Sequence, residues 1–321
     1  MSILIEVDGL EKYFPVGTLF QKKKFLHAVD GVDFHIKDGE AFALVGESGC
    51  GKTTLGKILL LHLTPTAGTV RFMGQNVFRL SKSDMKQLRR KMQMVFQDPF
   101  SSMNPRKNIH HILSQPYLGE GLGRDKIENN VLELLERVGL SPPQMYMDRY
   151  PNQLSGGQVQ RIAIARAIAL RPRFIVADES VSTLDVSLKA QILDLLRRFQ
   201  EEFGLTLLFI THDLAVVRSM CKRIAVMYLG KFVEVANVEE LYENPLHPYT
   251  KAMLSATPVP DPEIARIRKR IILKGDVPSP IDLPPGCRFQ KRCPYKHPAC
   301  EESEPKLIQT NDEHFVACHR I

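Results

Sequence analysis

At 321 residues the chain can bury one large core plus an appendage, so two domains are expected. Hydrophobic content of 44%, charged content of 25% and a net charge of +7 are ordinary for a soluble globular protein. That charge permits contact with nucleic acid or an anionic membrane without demanding it. No apolar stretch approaches the length of a membrane span, and the N-terminus lacks the charged-then-apolar order of a secretory signal. A cytosolic protein is expected, held at a membrane only through a partner.

Residues 1–45 alternate apolar and polar in short runs. Ile5 and Val7 alternate with Glu6 and Asp8, and Val32, Phe34 and Ile36 repeat the period, as in a small antiparallel sheet. Between them, Gln21-Lys22-Lys23-Lys24 reads as a solvated loop.

An apolar run, Ala41–Val45, enters Gly46-Glu47-Ser48-Gly49-Cys50-Gly51-Lys52-Thr53-Thr54. Leu55, Ile58, Leu59 and Leu60 leave it at helical spacing, which makes the strand, loop and helix that the pattern G-x-x-x-x-G-K-[ST] requires. The glycines let successive N–H groups point into one concavity, where a helix N-terminus adds its positive dipole end. Lys52 can reach β- and γ-phosphates and the Thr53 hydroxyl can ligate Mg²⁺. The plainer alternative is a glycine loop before a core helix, and the surrounding strand and helix favour the nucleotide site.

Residues 69–76 read as a strand and turn, and from 98 to about 170 the pattern is helical. Val131, Leu134, Leu135 and Val138 share a face that Gly139 is placed to end. A strand follows at Phe174–Ala177, then a helix bearing Leu188, Ile192, Leu195, Leu196 and Phe199 that closes before Gly204. The apolar run Leu205–Ile210 reads as a buried strand, and strands alternating with crossover helices imply a parallel sheet covered on both faces.

Asp178-Glu179 ends the strand at Phe174–Ala177. A carboxylate at the carboxyl end of a parallel strand suits a metal beside a phosphate loop, so Asp178 is assigned to Mg²⁺ through water. Glu179 is then suited to orient or deprotonate an attacking water. An acidic loop after a strand would leave the same trace, and the upstream phosphate loop decides between them.

Leu154-Ser155-Gly156-Gly157-Gln158 opens a helix carrying Ile162, Ala163, Ala165 and Ile168. A serine cap explains Ser155 but not two glycines at a helix entrance, which suit a backbone that something must approach closely. This pentapeptide resembles the signature motif of the ABC (ATP-binding-cassette) ATPases. The resemblance covers roughly residues 3–255. It implies an α/β fold: an ABC-type P-loop ATPase core of parallel sheet and flanking helices, with an antiparallel β subdomain and a helical subdomain. It further implies that Tyr13 stacks on adenine, that Gln97 senses Mg²⁺ and γ-phosphate, and that His212 contacts γ-phosphate. Sheet packing for Tyr13, and satisfied polar roles for Gln97 and His212, are the alternatives. Ser182-Thr183-Leu184-Asp185 resembles the loop that crosses to a partner ATPase. In this family two nucleotide domains pack head to tail, so Ser155, Gly156, Gly157 and Gln158 of one would cover ATP on the other.

Beyond about residue 257 prolines break up regular structure, so residues 258–321 read as a loop-rich appendage to an ATPase domain of residues 1–257. Pro245–Thr250, Gly275–Pro280 and the insertion around Val16–Leu26 resemble the second ATPase subunit of dipeptide and oligopeptide importers. That resemblance implies a paralogous or identical ATPase partner, two membrane-spanning permease subunits docking near Gln97–Pro105, and indirectly a solute-binding protein. Cys287, Cys293, Cys300 and Cys318 suit a soft metal centre, for which the resemblance implies a [4Fe–4S] cluster. Zinc, with His297, His314 and His319 nearby, and four reduced structural thiols remain the alternatives. A soluble ABC ATPase acting on nucleic acid or ribosomes is the competing function, disfavoured because there is a single cassette and no sustained basic stripe.

Overall fold

The computed structural model describes residues 2–17, 24–180, 185–257, 270–311 and 313–321. Lys22, Lys23, Ser182, Thr183, Leu184, Pro258, Pro260, Pro262 and most of the insertion lie outside the described residues. Along the chain the strands are β1 (Ile3–Val16), β2 (Lys24–Lys37), β3 (Ala41–Val45), β4 (Ala67–Phe72), β5 (Gln75–Asn76), β6 (Met92–Val95), β7 (Phe174–Asp178), β8 (Thr206–Thr211), β9 (Arg223–Tyr228), β10 (Lys231–Asn237), β11 (Ile308–Asn311) and β12 (His314–Val316). The main helices are α1 (Lys52–Leu59), α2 (Lys82–Lys91), α3 (Ile109–Ser114), α4 (Arg124–Arg137), α5 (Gln144–Met147), α6 (Gly156–Ile168), α7 (Val186–Phe203), α8 (Leu214–Met220), α9 (Val238–Glu243) and α10 (Pro248–Ala256).

Two compact units divide the chain. The first joins Met1–Arg79 to Phe209–Ile321 and the second is Leu80–Leu208, so the division falls within β8. In the first unit β1 pairs antiparallel with both β2 and β4, which makes the small sheet in the order β2-β1-β4-β5. A second group of strands runs β11-β12-β10-β9-β3, antiparallel except that β3 lies parallel to β9. All five residues of β3 are buried, as expected of a parallel strand covered on both faces. The proline-rich tail supplies β11 and β12, and Phe315 and Val316 pair with Val235 and Glu234 of β10. The tail thereby covers an edge that would otherwise expose unpaired backbone groups.

In the second unit β6 and β7 are parallel, with Met94 opposite Val176. The apolar face of α4 buries Val131, Leu134 and Leu135, and Gly139, at φ 74°, takes the left-handed turn that ends it. Helix α7 buries Ile192, Leu195, Leu196 and Phe199 and closes at Gly204, also left-handed at φ 61°. Among the described residues no helix is long and apolar enough to cross a membrane.

Candidate functional site

The phosphate loop lies in the first unit, between β3 and α1. Gly46, Gly49 and Gly51 have φ of 156°, 78° and 112°. A Cβ on Gly46 would overlap the carbonyl oxygen of Met227, and one on Gly51 that of Ala28. The loop is therefore glycine-dependent for space as well as for torsion. Lys52 is buried, and its Nζ donates to the carbonyl oxygens of Gly46 (2.7 Å) and Glu47 (2.9 Å). The ammonium is thus held at the mouth of the loop by its own backbone. Ser48, Gly49 and Thr53 are exposed around it and Thr54 is half-buried. The Cys50 thiol is buried, and burial pushes its pKa up despite the Lys52 ammonium 3.7 Å away. Cys50 is therefore a packing residue of the loop and not a nucleophile.

Tyr13, also in the first unit, projects from β1 with its ring 4.3 Å from that of His27. Its hydroxyl donates to Asp30 Oδ1 at 2.6 Å. His212 follows β8 and is exposed. The next residue, Asp213, caps α8 by accepting from the N–H of Ala215 at 3.1 Å.

The remaining predicted residues lie in the second unit. Asp178 is the last residue of β7 and is 5% exposed. Glu179 follows in the left-handed region at φ 44°, a conformation uncommon for a residue with a side chain. Gln97 Nε2 donates to Glu179 Oε2 at 2.7 Å, so two residues 82 positions apart in sequence converge. Ser155 caps α6: its hydroxyl accepts from the Gln158 N–H at 3.3 Å, and Gln158 Oε1 accepts from the Ser155 N–H at 3.0 Å. This reciprocal box satisfies two backbone donors at the helix tip. The two glycines differ. A Cβ on Gly157 would overlap the methyl groups of Leu188, whereas nothing lies within 4 Å of one on Gly156. Asp185 caps α7, accepting from the Leu188 N–H at 2.9 Å.

The four tail cysteines, in the first unit, are all free thiols. Burial pushes Cys287 up to about 11, and Cys300, Cys293 and Cys318 add to the effect. Burial also raises Cys293 and Cys318, with Cys318 and Cys300 adding to the effect on Cys293, and Cys300 and Glu234 to that on Cys318. The thiols thus lie within electrostatic reach of each other. Among the described residues, however, no group of three or more His, Cys, Asp or Glu side chains is placed to hold a metal ion. The expected metal centre is in that respect not met. A single zinc ion would need its donors within about 2.3 Å of one point. The neighbouring histidines have other partners: His314 Nε2 lies 2.9 Å from Glu234, His319 Nε2 2.9 Å from the Ser303 carbonyl, and His297 Nδ1 accepts from the Ala299 N–H at 3.3 Å.

Sequence reasoning missed Glu47, Asp30, Arg288 and Arg292. Arg292 forks onto Glu47 in the phosphate loop at 2.7 and 3.0 Å, across 245 positions that no local pattern connects.

Comparison with known proteins identifies the family. Residues 29–182 match the ABC transporter family model, and residues 233–300 match the C-terminal region of oligopeptide/dipeptide transporters. The oligopeptide transport ATP-binding protein AppF of Bacillus subtilis is 49% identical over 320 residues, covering 98% of this chain and 97% of that protein. OppF of Salmonella typhimurium, described in the same words, is 42% identical over 326 residues, covering 100% of this chain and 97% of that one. Among solved structures, the ATP-binding cassette MJ0796 in a dimeric post-hydrolysis state with ADP and Pi superposes with a TM-score of 0.66 at 29% identity. That match covers 73% of this chain and 99% of the cassette. Similarity that runs through the phosphate loop, the signature helix and the cysteine-bearing tail has one meaning: the chain belongs to the ABC transporter ATPases, within the group formed by oligopeptide transport ATP-binding proteins.

Proposed function

We propose that this ATPase powers oligopeptide import, at a site completed only when two nucleotide domains meet head to tail around ATP. The reading rests chiefly on the contact of Gln97 with Glu179, which holds a carboxylate in one orientation at the end of a parallel strand. Glu179 would take the proton of the attacking water, with Gln97 aligning it. Lys52 would exchange its two loop carbonyls for phosphate oxygens, and His212 would face the γ-phosphate. Tyr13 would carry the adenine. Mg²⁺, which neutralises phosphate charge when bound, would be held by Thr53 and, through water, by Asp178. Ser155, Gly156, Gly157 and Gln158 would close over the partner's ATP, and Asp185 would hold the crossing loop beside it. The open space at Gly156 suits that role, whereas Gly157 is explained by Leu188 within the chain.

The partners in this proposal are a second ATPase subunit and two membrane-spanning subunits, with the chain bound to the inner face of the membrane. Its ATPase domain would extend to residue 257. For residues 258–321, the four cysteines would hold an iron–sulfur cluster. A cluster takes one thiolate per iron and so spreads its ligands more widely than a single ion does. Thiols that raise one another's proton affinity are also the kind that a cationic centre stabilises as thiolates. Iron and sulfide analysis of anaerobically purified protein tests this: about four of each per chain supports the cluster, and a zinc stoichiometry of one removes it. A role on nucleic acid is not favoured, because the relatives matched over nearly the whole chain are named oligopeptide transport ATP-binding proteins.

Glu179→Gln tests the catalytic assignment. ATP binding should persist while steady-state hydrolysis falls by about 10²-fold or more. Undiminished turnover would remove Glu179 from the role of base.

A further inference from the structure

The tail reaches back to the nucleotide site through one turn. Gln290 N donates to the Cys287 carbonyl at 3.1 Å and Arg292 N to that of Phe289 at 3.0 Å, which closes residues 287–292 into a compact loop. Phe289, 1% exposed, seats this loop among aromatic rings, 5.3 Å from Tyr228 and 5.5 Å from Tyr249. With Phe289 fixed, the arginines on either side of it, Arg288 and Arg292, have little freedom.

Arg292 donates to both carboxylate oxygens of Glu47, the second residue of the phosphate loop. Its side chain is 9% exposed and Glu47 is 32% exposed, so the pair is shielded enough to act as a fork that fixes geometry. The same Glu47 gives its N–H to the Tyr249 hydroxyl at 2.9 Å, and its carbonyl accepts from Lys52. Side chain, amide and carbonyl of one loop residue are therefore all held. Arg288 donates to Asp30 and to the Leu229 carbonyl. Asp30 is the acceptor for the Tyr13 hydroxyl. The two arginines thus act on two parts of one site: the aromatic assigned to adenine and the loop assigned to phosphate. Arg288 follows Cys287 and Arg292 precedes Cys293, so whatever orders those thiols orders the arginines too.

We propose that Arg292, acting through Glu47, and Arg288, acting through Asp30 and Tyr13, are positioning residues by which the cysteine-bearing tail sets the affinity for ATP. The proposal rests on the reading of this site as the ATP site. Apparent affinity scales with the fraction of molecules whose loop is already in the binding form. A tie that keeps the loop in that form lowers the ordering cost of binding.

The test uses the full chain, with a fluorescent ATP analogue for binding and steady-state hydrolysis for KM and kcat. Binding by the unmodified chain, lost in Lys52→Ala, establishes the site. No binding by the unmodified chain would overturn that reading and this proposal together. With the site established, Arg292→Gln should raise both Kd and KM by about tenfold if the binding-competent fraction falls to about a tenth. Expected with it are a kcat within about twofold of normal and unchanged iron content. Arg292→Lys, which keeps the charge but not the fork, should recover only part of the loss. Glu47→Gln serves as the second variant should Arg292→Gln fold poorly. The double variant should bind no worse than the weaker single one, because both remove the same tie. An unchanged Kd in either single variant, additive losses in the double, or a fall in kcat at constant KM would overturn the proposal.

Discussion

At the residue scale, the two glycines of the signature helix show what a sequence can and cannot tell. Both stand out as odd at a helix entrance, and a close approach of another backbone explains both equally well. The structure separates them, since Leu188 fills the space beside Gly157 and nothing in the chain fills that beside Gly156. Gly157→Ala should therefore push the half-buried Leu188 side chain aside, at a cost of about 1 kcal/mol of folding stability, measurable by urea denaturation. Leu188→Ala in the same chain should restore part of it. Gly156→Ala should leave stability within about 0.5 kcal/mol while impairing ATP-driven pairing. Equal destabilisation by both alanines would contradict the distinction. The nucleotide motifs were legible because each needs particular residue types at fixed short spacing. The Arg292–Glu47 tie was not, because each partner alone is an ordinary charged residue.

At the element scale, periodicity located α4, α7, β3, β7 and β8, whose apolar faces or runs are buried in the structure. It gave no sign of α2, and the reason is physical: that helix buries none of its residues, and Met85 and Leu88 alone among its ten residues are too few to set a period. Strand β6, Met-Gln-Met-Val, is too short and too poor in β-branched residues to announce itself. The strands β11 and β12 hid within a segment whose prolines suggested only loop. Helix α10 carries a pH dependence of its own. Its cap, His247, is 2% exposed, and Nδ1 accepts from the Tyr249 N–H at 3.1 Å. Burial holds its pKa down at about 4, against an ordinary value near 6.5. Between those values the unfolded chain binds the proton and the folded one does not. The His247 contribution to stability is therefore full above about pH 6.5 and declines as pH falls toward 4, by up to about 3 kcal/mol. His314 has the opposite sign: the hydrogen bond to Glu234 raises its pKa, so its contribution is present in acid and is lost as pH climbs through that raised value. His247→Asn, which keeps an acceptor for the cap, should flatten the acid decline in thermal unfolding between pH 7 and 5. An unaltered slope would show that His247 does not carry it.

At the scale of the whole molecule, the fold class and family were readable from motifs spread over most of the chain, and relatives of matching length agree. The tail was readable as a cysteine-bearing extension with an importer-like run at Gly275–Pro280. Its structural work, covering the edge of β10 and holding the phosphate loop, depends on contacts across the full length of the chain. The central claim is that ATP joins two nucleotide domains through the exposed tip of α6. Sedimentation of Glu179→Gln with its natural ATPase partner, with and without ATP and Mg²⁺, tests it most directly. The account predicts a nucleotide-dependent doubling of mass that Ser155→Arg abolishes; a chain that binds ATP yet sediments as a monomer under every condition would contradict it.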